Sequence, residues 1–165
     1  MDRLILLRHG KAEAESDSGD DFDRRLAPRG ERESAEMGAR LAEMGFQPDV
    51  VLLSPSARTR GTWAAACAAF PKAAVQLEDH LYNADTGAIW QAIEAAGQDA
   101  ATVMVVGHNP GLQELTLSLL IEGSAPAGLL AKAQRHFPPA AASVFLFDGS
   151  RRPHYDGLFY PERGD

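Results

Sequence analysis

The chain has 165 residues, 45% hydrophobic and 24% charged, with a formal net charge of −7. This is the size and composition of one soluble domain, residues 1–165, with a sizeable core. The acidic balance argues against nucleic acid or an anionic membrane as partner, and no apolar run approaches the roughly 20 residues that span a bilayer.

The first predicted element is a strand in LILLRHGKAE, Leu4 to Glu13. Its apolar run ends abruptly on Arg8, His9 and Gly10. The N-terminal apolar run is four residues, Leu4 to Leu7, shorter than that of a secretory signal. DSGDDFD, Asp17 to Asp23, reads as an exposed acidic loop. Arg24, Arg25 and Arg29 either line a substrate entrance or balance that loop, and the second reading is preferred. Pro28 to Met44 is predicted as a helix covering a sheet. Ala35, Met37, Gly38, Leu41 and Met44 would form its buried stripe, and Gly45 would end it.

DVVLL, Asp49 to Leu53, is a short buried strand that runs into SPSARTRGTWAAACAAF. Ser54 fits a helix N-cap and Pro55 the first helical position, with about four turns to follow. The single cysteine, Cys67, excludes an internal disulfide and fits a reducing compartment such as the cytoplasm. It reads as a small buried hydrophobe. Another short strand is expected at Val75 to Leu77, then a helix capped by Thr86 and stopped by Gly97.

The pattern then repeats. TVMVV, Thr102 to Val106, is followed by Gly107, His108, Asn109 and Pro110. Asn109 can cap the next helix and Pro110 can sit at its first position. A partial helix is expected between residues 122 and 139, then two closing strands at Ser143 to Phe147 and His154 to Tyr160. Apolar strands alternating with helices predict a three-layer α/β/α sandwich with a mostly parallel central sheet.

In such sheets, ligands bind at the carboxyl ends of the strands. Three strands here end in Arg8 and His9, in Ser54 with Arg58 one turn on, and in His108. If they are parallel neighbours, two guanidinium groups, two imidazoles and two helix N-termini converge. That is a phosphate pocket. No cysteine pair, HExxH or carboxylate cluster accompanies the histidines, so no metal is expected. GxxxxGK[ST] and GxSxG are absent too. A histidine beside a bound phosphoryl group can act as a nucleophile.

LILLRHGKAE, LLSPSARTRGT and VMVVGHNPG, in that order, resemble the histidine phosphatase superfamily with its phosphoglycerate-mutase-like fold. The short chain, the RHGKAE opening, the loop leading to LAPRG and VGHNPG look most like SixA-type phosphohistidine phosphatases. The resemblance runs from about residue 2 to residue 160. It implies that His9 becomes phosphorylated, that Arg8 and Arg58 hold the phosphate, and that His108 hydrogen-bonds its oxygens. Gly10, Lys11 and Asn109 are expected beside the substrate, although Lys11 could equally be a solvated charge. Larger members place a carboxylate acid after the third strand. Glu78 and Asp79 are candidates by position here, and Asp85 is a more distant one.

No cofactor is implied. The expected substrate is a phosphohistidine on a protein, such as a phosphotransfer domain or phosphocarrier. A phosphatase of a small phosphorylated metabolite and a phosphate-binding module on a retired enzyme fold are the alternatives. Mutase activity is disfavoured, because this short chain has little room for the lid segments that retain a product. His80, His136, His154 and Arg60 are read as surface or structural residues.

Overall fold

A computed structural model describes residues 1–162. Six strands form one sheet in the order β3-β2-β4-β1-β5-β6. They are β1 (Arg3–Arg8), β2 (Val50–Leu53), β3 (Ala74–Leu77), β4 (Thr102–Gly107), β5 (Ala142–Phe147) and β6 (Pro153–Phe159). The first four are mutually parallel, whereas β5 runs antiparallel to β1 and β6 antiparallel to β5. This is the predicted α/β sandwich, with an antiparallel hairpin at one edge.

Alternation along the strands splits the core into two layers. Leu4, Leu6, Leu52, Val103 and Val105 face one side. There they pack on α3 (Thr86–Gly97), α4 (Gly111–Glu122) and α5 (Ala127–Arg135) through Ile89, Ile93, Leu112, Leu115 and Ala133. Ile5, Leu7, Val51, Leu53, Met104 and Val106 face the other side. They meet Met37 and Leu41 of α1 (Pro28–Glu43), and Ala66 of α2 (Ala57–Ala66). Because both faces are covered, the central strands are apolar on every residue rather than on alternate ones.

Several local expectations are corrected. The buried stripe of α1 is rotated from the expected one: Glu33, Ser34, Met37, Gly38 and Leu41 are buried, while Ala35 and Met44 are exposed. The cap of α2 is Ser56, which accepts from the Thr59 amide, and not Ser54. Asp85, not Thr86, caps α3 by accepting from the Ala88 amide. The helix α4 begins at Gly111, so Asn109 is not its cap and Pro110 precedes its first residue. Cys67 lies just past α2 and is half-buried, not a core residue.

The topology positions the site. Both β1 and β2 pair with β4, in registers that set Arg8 opposite Gly107 and Leu53 opposite Val106. The residues that follow these three strands therefore emerge side by side at the carboxyl edge of the sheet.

Candidate active site

His9 leaves β1 just after its last strand residue, with its amide donating to the Gly107 carbonyl at 3.0 Å. The imidazole is 7% exposed, and its Nδ1 lies 2.7 Å from the Gly10 carbonyl oxygen. A carbonyl only accepts, so Nδ1 carries the proton and Nε2 keeps its lone pair. Burial pushes the His9 pKa down to about 3. The Gly10 bond opposes that shift, and the charges of Arg8 and Arg58 and the His108 ring add to it. His9 is thus an uncharged imidazole at neutral pH.

Gly10 makes this geometry possible. Its amide donates to Thr62 Oγ1 at 2.9 Å, and Thr62 Oγ1 donates to the Arg58 carbonyl at 2.8 Å. A Cβ on Gly10 would lie 2.6 Å from both the Gly30 carbonyl oxygen and Ser34 Oγ. The turn after β1 is therefore pressed against α1 and tied to α2.

His108 emerges next door from β4, its ring centroid 5.4 Å from that of His9. Its Nε2 is 2.7 Å from the buried Ser54 Oγ at the end of β2. Burial lowers its pKa to about 4, helped by Arg58 and Arg8 and opposed by Asp21. The sequence reading placed Ser54 at a helix cap and so missed this contact. Ser56 fills the cap, which frees Ser54 to face His108.

Arg8 donates through Nη1 to the Phe137 carbonyl at 3.0 Å, and the Asn109 side-chain amide donates to the same oxygen at 2.9 Å. Burial and the nearby Arg58 lower the Arg8 pKa, as expected for two cations held close together. Arg58 is 5% exposed. Its Nη1 donates to the Asp21 carbonyl at 3.0 Å and its Nη2 to Asp21 Oδ2 at 3.1 Å.

Asp21 and Tyr82 are the site residues that sequence reasoning did not single out. Asp21 opens a 3₁₀ turn in the acidic loop. Its Oδ2 also accepts from the Tyr82 hydroxyl at 2.6 Å, and its Oδ1 from Arg24 Nε at 2.9 Å. The Tyr82 bond is the main cause that holds the Asp21 pKa down to about 2, with Arg24 and Arg58 adding to it. The Tyr82 ring stands edge-on to His108 at 5.6 Å and to Phe22 at 5.1 Å. The loop read as solvated thus reaches the pocket with one carboxylate. A contact between distant loops has no periodicity to reveal it.

The other predicted residues fall as follows. Lys11 is exposed, and its carbonyl accepts from the Ala27 amide. Glu78 lines a cleft with His80, Leu81, Asp85 and Gln91, and none of Arg8, His9, Arg58 and His108 borders it. Asp79 and Asp85 are exposed. Arg24 pairs with Asp21 and Arg29 with Glu33 at 3.6 Å, in keeping with charge balance. Arg60 is exposed in a cleft with Glu13, Asp17 and Asp23. His80, His136 and His154 are exposed, and His154 pairs with Asp148.

The site holds buried nitrogens that lack a protein partner. Among the described residues, Arg8 Nε and Arg58 Nε have none, nor does His108 Nδ1. A buried unsatisfied N–H costs about 1–3 kcal/mol. Several at one sheet edge suit a tetrahedral anion that accepts from all of them. Among the described residues, no group of three or more His, Cys, Asp and Glu side chains could hold a metal ion, and no helix is long and apolar enough to cross a membrane.

Comparison with known proteins agrees with this geometry. The family model of the histidine phosphatase superfamily (branch 1) matches residues 4–105. An uncharacterized protein of Mycobacterium tuberculosis is 32% identical over 143 residues, which is 87% of this chain and 88% of that protein. Two solved structures, of candidate SixA phosphohistidine phosphatases, are also similar. The one from Agrobacterium tumefaciens has a TM-score of 0.83 at 29% identity, covering 97% of this chain and 98% of its own. The one from Nakamurella multipartita has a TM-score of 0.84 at 30% identity, covering 97% and 96%. With its strand-end histidines, its paired arginines and this family match over most of its length, the chain belongs to the histidine phosphatase superfamily.

Proposed function

We propose that this protein is a phosphatase that removes the phosphoryl group from phosphohistidine on a protein, through a covalent phosphohistidine on His9. The bond between His9 Nδ1 and the Gly10 carbonyl carries the reading, because it leaves an uncharged Nε2 beside two arginines. In the first step, Nε2 attacks phosphorus in line. The new N–P bond forms on His9 as the substrate P–N bond breaks, and the leaving imidazole takes a proton from solvent. Arg8, Arg58 and His108 hold the phosphoryl oxygens, so catalysis is mainly positioning and electrostatic stabilisation. In the second step, water attacks phosphorus, the bond to His9 breaks and inorganic phosphate leaves.

The carboxylates bear on the substrate class. Asp21, which touches the site, is held near a pKa of about 2 and has no proton to give at neutral pH. Glu78 lines a different cleft. An alkoxide leaving group needs a general acid, whereas an imidazole with a solution pKa of about 6.5 can be protonated by water. The site therefore favours P–N over P–O substrates. The names of the similar solved structures point to the same substrate class. A phosphotransfer domain or phosphocarrier protein supplies such a group. Gly10 acts through its carbonyl, Asn109 through the Phe137 oxygen it shares with Arg8, and Lys11 by drawing anions to the mouth.

The test compares kcat/KM on a phosphohistidine protein and on a phosphoserine peptide. At least a hundredfold preference for phosphohistidine is expected, with Glu78→Gln near wild type on both. Equal rates on the two substrates, or a large loss in Glu78→Gln on both, would overturn the reading.

A further inference from the structure

We propose that Ser54 is a positioning residue whose Oγ–H donates to His108 Nε2, fixing the imidazole proton on Nδ1, from which His108 donates to the phosphoryl group. The proposal rests on the function above and adds to it a residue that acts through His108.

Ser54 is fully buried, and its Oγ lies 2.7 Å from His108 Nε2. Nε2 is therefore committed, and Nδ1 is the one nitrogen left to meet a ligand. His108 is uncharged at neutral pH, so a single ring nitrogen carries a proton. Suppose that nitrogen were Nε2, donating to Ser54. The serine hydroxyl hydrogen would then be buried with no acceptor among the described residues. Nδ1, also buried and without a partner, would turn a lone pair toward an anion. Two groups would go unsatisfied. With Ser54 as donor, a single group is left over, the Nδ1–H, and a phosphoryl oxygen satisfies it. A buried polar group left unpaired costs enough to decide between these arrangements.

The two histidines then form a complementary pair. Gly10 offers His9 an acceptor, which puts the proton on Nδ1 and the lone pair on Nε2, as a nucleophile requires. Ser54 offers His108 a donor, which puts the lone pair on the nitrogen facing the protein and the proton on the other. The neighbouring backbone holds Ser54 in place. Its amide donates to the Val106 carbonyl at 3.2 Å, and its carbonyl accepts from Thr59 Oγ1 at 2.7 Å.

The experiment is long-range ¹H–¹⁵N correlation of histidine-labelled full-length protein at pH 7, with and without inorganic phosphate. His108→Gln identifies the resonances. In the wild type, His108 is expected as the Nδ1–H form, with Nδ1 shifting as phosphate is added. In Ser54→Ala the ring should become a mixture of tautomers. Phosphate binding and kcat should each fall, kcat by roughly 10- to 100-fold, toward the loss of one transition-state donor. Ser54→Cys, which retains a weak donor, should recover part of both. A packing defect alone would not move the tautomer, so this readout separates positioning from packing. An Nε2–H form in the wild type, or wild-type kcat and phosphate binding in Ser54→Ala, would overturn the proposal. If wild type shows the Nδ1–H form and binds phosphate but turns over no donor, the phosphatase reading fails and the role of Ser54 in binding stands.

Discussion

Arg58, almost fully buried, meets Asp21, half exposed, with 3.1 Å between Nη2 and Oδ2. The carboxylate offsets a cation that stands beside a second one, Arg8. Replacing Asp21 with Asn should leave Arg58, beside Arg8, without a charge partner. Ligand-free Asp21→Asn is expected to lose about 1 kcal/mol, the upper range for an ion pair with one wet partner. Phosphate should stabilise the variant more than it stabilises the wild type. Thermal melts with and without phosphate check this; an equal increment in both proteins would show that Asp21 does not govern the charge of the pocket.

Tyr82 sets the protonation of Asp21 more than either arginine does. In Tyr82→Phe the Asp21 midpoint should rise from about 2 toward the ordinary carboxylate value of 3.8. Carbonyl ¹³C titration of the side chain measures it directly. An unchanged midpoint would assign the depression to Arg24 and Arg58 instead.

The expected outcome for Gly10→Ala follows from space. The new methyl would strike the Gly30 carbonyl and Ser34 Oγ, both at 2.6 Å. Relief requires the turn to leave α1, which breaks the bonds to His9 Nδ1 and Thr62. Urea unfolding should show a loss of about 1–3 kcal/mol, and activity should fall further than stability because the His9 ring is no longer held. Full activity in this variant would remove the Gly10 carbonyl from the account.

Acid sensitivity follows from two buried imidazoles. The folded pKa values of about 3 for His9 and about 4 for His108 lie below the 6.5 of an ordinary histidine. The unfolded chain therefore binds more protons than the folded one as pH drops below 6.5. Stability present above that pH is lost progressively toward the folded values, at roughly 1.4 kcal/mol per unit for each ring. Urea midpoints at pH 7 and pH 5 should differ in the wild type. The difference should shrink in His9→Gln with His108→Gln. No shrinkage would place the acid-sensitive groups elsewhere.

What could be read from the sequence follows from chemistry local to one segment. Buried parallel strands are apolar on every residue, so Leu4 to Leu7 and Val103 to Val106 stand out. Polar residues directly after such runs mark the sheet edge. The family resemblance then supplied roles for Arg8, His9, Arg58 and His108, and the fold brings these residues together. Contacts between segments were not legible. Asp21, Tyr82 and Ser54 each reach the site through a partner far along the chain. Ser54, followed by a proline, fits a cap by residue type, yet Ser56 precedes the same helix and fills that place. The rotated stripe of α1 has a different origin. Glu33 and Ser34 are buried polar residues that a count of apolar positions skips.

The central claim is that His9 carries the phosphoryl group on Nε2. Its most direct test is rapid quench of the protein mixed with phosphoramidate, followed by mass spectrometry and ³¹P NMR under alkaline conditions. The account predicts one acid-labile phosphate on His9 Nε2, formed within the time of a turnover, lost to water afterwards and absent from His9→Ala. Turnover without any adduct on His9, or an adduct on His108 instead, would contradict it.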